Sequence, residues 1–409
     1  MGRAVSSLRD NPRFRLLWAS NLFFFGGVWT QTLVLGWLIY ETTHSDFLVA
    51  VFTAVRLAPM LLGPYSGVFA DRHDRVRLLI VASAWPLVAV SVIASLISLD
   101  LAPYWALIVA GGVIGIAESP SRPARSSLVL DLVGRGNLSN ANALNAMAMS
   151  VTQVIGPAIG GLLISWLGAA AALWISTAWY AISLSTLLPL RGSHQLVRRP
   201  TGSATRMMRS GLHAIVRNRL ARTVLLITLA ANIFLWPIFQ GFMPVFAKDS
   251  LGLDAAGLGW LLTCSGVGGL LGSLCIAFLG DFRFKGGLFV LGTITWAGLW
   301  AGFALSHDVV VSFVLMGMIG LTGSAFGVLQ ITLTLMTTEP EIHGRALGLL
   351  EFAIGIMPIS ALVLGVFAER FGVDRTTFVS ALALVLVMSV LAVRTLDLVR
   401  YSGRQDHLR

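Results

Sequence analysis

Charge is scarce in this sequence. Only 12% of its 409 residues are Asp, Glu, Lys or Arg, where a soluble domain carries about 25%. Cysteine is scarcer still. Cys264 and Cys275 lie eleven residues apart in one apolar run. That spacing cannot close a local disulfide in a helix, so both read as small buried hydrophobes. The histidines form no metal-ligating constellation: His44, His73, His307 and His343 fall in expected loops, His194 and His213 in a linker, and His407 in the tail. No G-x-x-x-x-G-K-[ST] occurs, which argues against ATP-driven work within this chain. The absence of a nucleophile elbow and of H-E-x-x-H argues against an enzyme. Short alternating segments of a porin-like barrel are also missing. No cleavable leader is expected, because "MGRAVSSLRDNPRFR" is basic and the apolar run after it, Phe14 to Tyr40, is too long for a signal h-region.

What is present is apolar. The chain is 56% hydrophobic, with mean hydropathy +0.81. A spanning helix needs about 20 mostly apolar residues, and such stretches fill most of the sequence. The fold class is therefore an all-α polytopic membrane protein. Charged and turn-rich punctuation divides it into twelve expected helices: 14–41, 46–70, 76–99, 103–127, 139–165, 168–190, 222–247, 254–280, 285–305, 308–336, 344–368 and 373–396. The net charge of +10 reports orientation and not a nucleic-acid partner. With both termini on one side, that side collects 25 of the 29 basic residues, Arg122 and Arg125 among them. The far side holds Lys248, Arg370 and Arg375, while Arg56 falls inside a span. By the positive-inside rule both termini are cytoplasmic.

The expected organisation is an N-terminal six-helix half (1–190), a basic cytoplasmic linker (191–221), a C-terminal six-helix half (222–397) and a cytoplasmic tail (398–409). The linker is a solvated connector, or its "LHAIVRNRLA" stretch is a short helix against anionic headgroups. The halves echo one another. Asn21 and Asn232 are 211 residues apart, Asp71 and Asp281 are 210 apart, and Pro157 and Pro358 are 201 apart. The near-constant offset points to two pseudo-symmetric parallel repeats, an arrangement that places substrate near the midplane and rocks one half against the other.

"GVFADRHDRVR", Gly67 to Arg77, carries the sharpest resemblance. Gly67, Asp71, Arg72 and Arg75 match the G-x-x-x-D-R-x-x-R-[RK] signature of the major facilitator superfamily, with Asp74 where that family has glycine. The "ADRxDRxR" form, "RLAP" from Arg56 to Pro59 and "PAR" at Pro123 to Arg125 resemble the branch of enterobactin exporters and macrolide efflux pumps. "GPAIGG", with Gly156, Pro157, Gly160 and Gly161, resembles the antiporter-associated G-x-x-x-G-P-x-x-G-G, with Thr152 at its first glycine. The resemblance implies a twelve-helix transporter and gives Asp71 the role of a gate across the interface of the halves, with Arg72 and Arg75 as candidate partners. The plainer reading is a solvated turn obeying the charge rule. Asn142, Asn145, Met149, Thr152, Gly156 and Gly160 recur at helical spacing, and Pro157 favours a bend there. That face serves static close packing or alternating access.

Charges inside spans are functional candidates. Arg56 lies ten residues after Asp46, roughly 15 Å along a helix. It faces a central cavity or pairs with an acid. Glu118 has Arg122 four residues on, the spacing of a local ion pair. Glu351, with no basic residue at that spacing, is the candidate proton carrier. Substrate-contact candidates are Asn21, Trp29 and Gln31 in the first helix, and Asn232, Trp236, Phe239 and Gln240 in the seventh. Interhelical hydrogen bonds and interfacial anchoring account equally well for any one of them. The expectation is a monomeric, cofactor-free secondary transporter of a bacterial inner membrane, with the lipid bilayer and a small-molecule substrate as its partners. It would export a drug-like or siderophore-like compound, with a proton gradient as energy source. Uptake or lipid movement on the same fold is the second reading, and a non-transporting scaffold or sensor the third.

Overall fold

The computed structural model describes residues 6–62, 73–192, 215–279, 282–338 and 343–401. Among these residues there is no strand. In the first part of the chain α1 (Ser6–Asp10) leads into α2 (Pro12–Thr43), α3 (Asp46–Leu57) and a 3-10 turn over Ala58–Leu62. α4 is Arg75–Ser98. One long helical stretch, Tyr104–Leu187, is broken at Gly134 (φ 68°) and Gly168 (φ 84°) into α5 (104–133), α6 (135–167) and α7 (169–187). Positive φ of this kind suits glycine, which has no Cβ to clash. The rest comprises α8 (Arg219–Phe234), α9 (Trp236–Gly241), α10 (Met243–Val245), α11 (Ala255–Leu279), α12 (Lys285–Leu305) and α13 (Val309–Met336). It ends with α14 (His343–Ile354), α15 (Met357–Phe371), α16 (Val373–Arg394) and α17 (Leu396–Val399).

Eight helical segments among the described residues are long and apolar enough to cross a membrane. Large apolar side chains lie on the outside: Val81, Trp85, Val88 and Val92 recur along one exposed face of α4. Such a face is costly in water and neutral in lipid. Helices suit that solvent because each backbone N–H finds its acceptor within the same segment. Cys264 is half-buried but Cys275 is exposed, so the second cysteine is not the buried hydrophobe expected.

Two expected spans are interrupted. Residues 222–247 do not run as one helix: α8 stops at Leu235 (φ −121°), immediately before Trp236–Pro237. Proline lacks an N–H and disfavours helical geometry in the residue before it. The freed Phe234 carbonyl accepts from Ser380 Oγ at 2.7 Å. Residues 344–368 break likewise between Ile354 and Met357, ahead of Pro358. Pro157 behaves differently. α6 keeps helical dihedrals through it, and the breaks of that stretch sit at Gly134 and Gly168.

The chain forms two compact units, Met1–Thr201 with Leu253–Thr263, and Gly202–Gly252 with Cys264–Arg409. Each contains the same capping device. In the first, Asn11 accepts from Phe14 N (3.0 Å) to cap α2, and its amide donates to Leu132 O (2.6 Å) at the end of α5. In the second, Asn218 accepts from Ala221 N (3.1 Å) to cap α8, and its amide donates to Thr337 O (2.6 Å) after α13. One side chain thus starts a helix and fastens it to the end of another. Asp74 has a related task. Its carboxylate accepts from Arg77 N at 2.7 Å and caps α4.

Close packing within the first unit rests on "GGVIG", Gly111 to Gly115. A Cβ on Gly115 would lie 2.0 Å from Arg56 O, and one on Gly111 would lie 2.6 Å from the Phe52 ring. These glycines bring α5 against α3, the approach that sets Glu118 beside Arg56. Gly115→Ala is expected to lower the thermal midpoint, since overpacking costs about 1–3 kcal/mol. Gly327→Ala in α13, where a Cβ would meet nothing within 4 Å, should leave the midpoint unchanged or raised. Equal midpoints for both variants in a detergent melt would refute the role given to Gly115.

Candidate functional site: a buried charge network in the first unit

Arg56, on the last turn of α3, is 6% exposed, and Glu118, on α5, is 5% exposed. Glu118 Oε2 lies 3.8 Å from Arg56 Nη1, and its Oε1 accepts from Arg122 Nη2 at 2.8 Å. Both expectations for these residues therefore meet in one group. Glu118 makes the local pair with Arg122 and is also the acid that answers Arg56. The carboxylate is held between two guanidiniums from two helices.

A second buried cation was not anticipated. Arg125 was expected at the cytoplasmic end of the span 103–127, but α5 continues to residue 133, and the residue is only 2% exposed. Its Nη1 donates to Asn21 Oδ1 (2.5 Å) and Ser20 Oγ (3.1 Å) on α2, and its Nη2 donates to Ser83 Oγ (3.4 Å) on α4. The guanidinium carbon stands 4.2 Å from the centroid of the Phe24 ring, a cation–π contact. Asn21 in turn donates to Asn145 Oδ1 at 2.6 Å, tying α2 to α6. Tyr180 on α7 is fully buried, with its ring 5.5 Å from that of Phe24. The Tyr180 hydroxyl is within electrostatic reach of Glu118, Arg56 and Arg125. One polar centre thus gathers side chains from α2, α3, α4, α5, α6 and α7.

The other expected site residues are dispersed. Gly67, Asp71 and Arg72 lie outside the described residues, as does Asp281. Arg75 forms an ion pair with Asp131 near the end of α5, a partner the sequence reading had not named. Gly156 and Gly160 face α2, where added Cβ atoms would lie 2.6 Å from Trp29 Cβ and 3.5 Å from Thr30. Gly161 and Pro157 face the first turns of α11: a Cβ on Gly161 would lie 2.4 Å from Ala255 O, and one on Gly259 would lie 2.5 Å from Pro157 O. The motif is thus a two-sided packing surface, and Thr30 Oγ1 donates to Gly156 O (3.2 Å) across it. Trp29 is half-buried, while Gln31 is buried with its Oε1 lacking a partner.

In the second unit Asn232 is buried and turns back to donate to Thr228 O in its own helix (2.8 Å). Asn232, Trp236 and Gln240 do not share one continuous helical face, because α8 ends between the first two. Trp236 instead joins an aromatic cluster, its ring 5.6 Å from Trp296 and 5.8 Å from Phe239. Phe239 reaches Trp300 (6.4 Å), and Trp296 stacks on Phe326 (5.9 Å, 13°). Gln240 is half-buried beside it in sequence. Glu351 is exposed on α14 and not enclosed in an apolar setting as expected.

Helices long and apolar enough to cross a membrane, with charge buried among them, fit a membrane transporter, and the family match makes it one of the major facilitator superfamily and not an enzyme. The chain belongs to the transmembrane secretion effector family, which matches residues 4–404. It is 20% identical over 385 residues to the staphyloferrin A transporter of Staphylococcus aureus, covering 92% of this chain and 94% of that one. It is 24% identical over 378 residues to the multidrug efflux pump Tap of Mycolicibacterium fortuitum, covering 88% and 91%. A crystallised peptide transporter in complex with alafosfalin has the same fold, with TM-score 0.78 over 95% of each chain at 14% identity.

Removing the carboxylate from between its two arginines strands a buried charge. Glu118→Gln is expected to cost on the order of 3 kcal/mol, read as a lowered midpoint in a thermal melt. A midpoint equal to wild type would show that the network does not hold α3 against α5.

Proposed function

We propose that this chain is a proton-coupled exporter of small organic molecules, seated in a bacterial inner membrane with both termini in the cytoplasm. The observation that carries the reading is the buried polar centre around Arg56, Glu118, Arg125 and Tyr180 inside apolar helices. Its cost is justified in a transporter, where intramembrane charge meets solute or protons. The printed functions of the relatives, a siderophore transporter and a multidrug efflux pump, support export of organic compounds. The lopsided arginine count supports the orientation.

Two carboxylates inside the spans divide the labour. Glu118 is claimed by Arg56 and Arg122 and acts as a structural tie. Glu351 lies within the apolar span Ala346–Phe371, with an exposed side chain and no ion pair shown among the described residues. A carboxylate not clamped by a cation can take up and release a proton during a rocking cycle. Asp71, in the signature motif, is the gate of that cycle, and substrate passes the aromatic cluster of Trp236 and Phe239.

Everted vesicles carrying the protein should accumulate substrate under a pH gradient, and an uncoupler should abolish the accumulation. Glu351→Gln should remove the pH dependence at unchanged expression. Uncoupler-insensitive accumulation would overturn proton coupling, and a wild-type pH profile in Glu351→Gln would remove that residue as carrier.

A further inference from the structure

Two arginines of the first unit, Arg56 and Arg122, share the Glu118 carboxylate. Arg125 is left with neutral partners. Its Nη1 is engaged by Ser20 and Asn21, both on α2. The other edge of the guanidinium is nearly empty: Nε has no acceptor, and Nη2 has only the long 3.4 Å contact to Ser83. The Tyr180 ring packs on Phe24 as well, and its hydroxyl is buried and also has no partner. A buried donor without an acceptor is costly, and a buried cation more so. Two such groups packed on one aromatic ring need an explanation beyond packing.

We propose that the Nε/Nη2 edge of Arg125, with the Tyr180 hydroxyl, is the docking point for the carboxylate of an organic anion, so that the exported molecules are carboxylate-bearing. The inference rests on the exporter reading and names its substrate class. The arginine fork presents two parallel N–H groups that match the two oxygens of a carboxylate. Phe24 offers an aromatic face beside them. The ligand reaches this edge when the helices around it part, and it leaves the cation on neutral oxygens when it departs. Ser20, Asn21 and Ser83 then hold the guanidinium in place between cycles without competing as a fixed counter-ion would.

A pair of dyes with one xanthene scaffold and opposite charge provides the test: carboxyfluorescein and a cationic rhodamine ester. Fluorescence anisotropy on the purified full chain should show carboxyfluorescein bound and the rhodamine ester bound at least about 10-fold more weakly. Arg125→Gln should weaken carboxyfluorescein by about 10- to 100-fold, the value of a lost charge-assisted pair. Asn21→Asp is the decisive variant. It places a carboxylate 2.5 Å from Nη1, and Asn145 can turn its amide over to donate in place of accepting. This satisfies the cation from within, so a purely structural role for Arg125 predicts an equal or higher thermal midpoint and unchanged dye binding. The proposal predicts the same midpoint with carboxyfluorescein binding lost, and it decides the matter even where Arg125→Gln fails to fold. Wild-type affinity in Asn21→Asp, or preference for the rhodamine ester, would overturn it. Proteoliposome transport separates the two readings. Export of the rhodamine ester alone would sink the anion site and leave the exporter standing. Arg125-dependent binding of carboxyfluorescein with no transport of either dye would sink the exporter and leave the site.

Discussion

A charge inside an apolar helix bundle has to be answered by another charge or by oriented dipoles, and the first unit is built around that requirement. Arg56 sits on the last turn of α3, and Glu118 answers it only because α5 lies almost in contact with the α3 backbone. That closeness depends on glycine at 115, where a Cβ would strike the Arg56 carbonyl. The glycine run, the helix approach and the ion pair are therefore one arrangement. The chain lacks the charge that a soluble protein uses freely, and it spends part of its small supply at the centre.

The same requirement is met differently a turn further along α5. Arg125 is held by two serines, an asparagine and an aromatic face, with no carboxylate among its described partners. Neutral acceptors hold a guanidinium in place without neutralising it. The two cations of α5 thus have different characters: Arg122 completes a structural tie, while Arg125 keeps its charge available. The second unit shows the opposite chemistry at Trp236, Phe239, Trp296 and Phe326, a stacked aromatic group without a charge in it.

Repetition is visible in the capping residues as well as in the sequence offsets. Asn11 and Asn218 each begin a helix and reach the end of another one in their own unit. The repeat is not symmetric in its prolines. Pro157 rides inside an unbroken helix, with its face against the start of α11, whereas Pro358 follows an interruption. At 156, 160 and 161 small residues let α2 and the start of α11 approach α6 closely.

Composition and hydropathy by themselves determined the solvent of this protein, because helices that must bury every backbone N–H in lipid leave long apolar runs that no soluble fold needs. Several expected ends fell within a residue or two of the observed ones: α4 at Arg75–Ser98 and α12 at Lys285–Leu305 are the clearest. The signature motif pointed to the superfamily, and the i,i+4 spacing of Glu118 and Arg122 gave a pair that forms. Spacing along one helix says nothing about which helix lies opposite. Arg56 as the second partner of Glu118, Asp131 as the partner of Arg75, and the neutral cradle of Arg125 all come from residues 42 to 105 positions away in the chain. The "PAR" motif had marked Arg125 as noteworthy, but the expected span ended six residues early, at 127, and left it at the cytoplasmic end. Only the tertiary structure moved it inside, because burial is a property of the neighbours a helix acquires and not of the residues it carries.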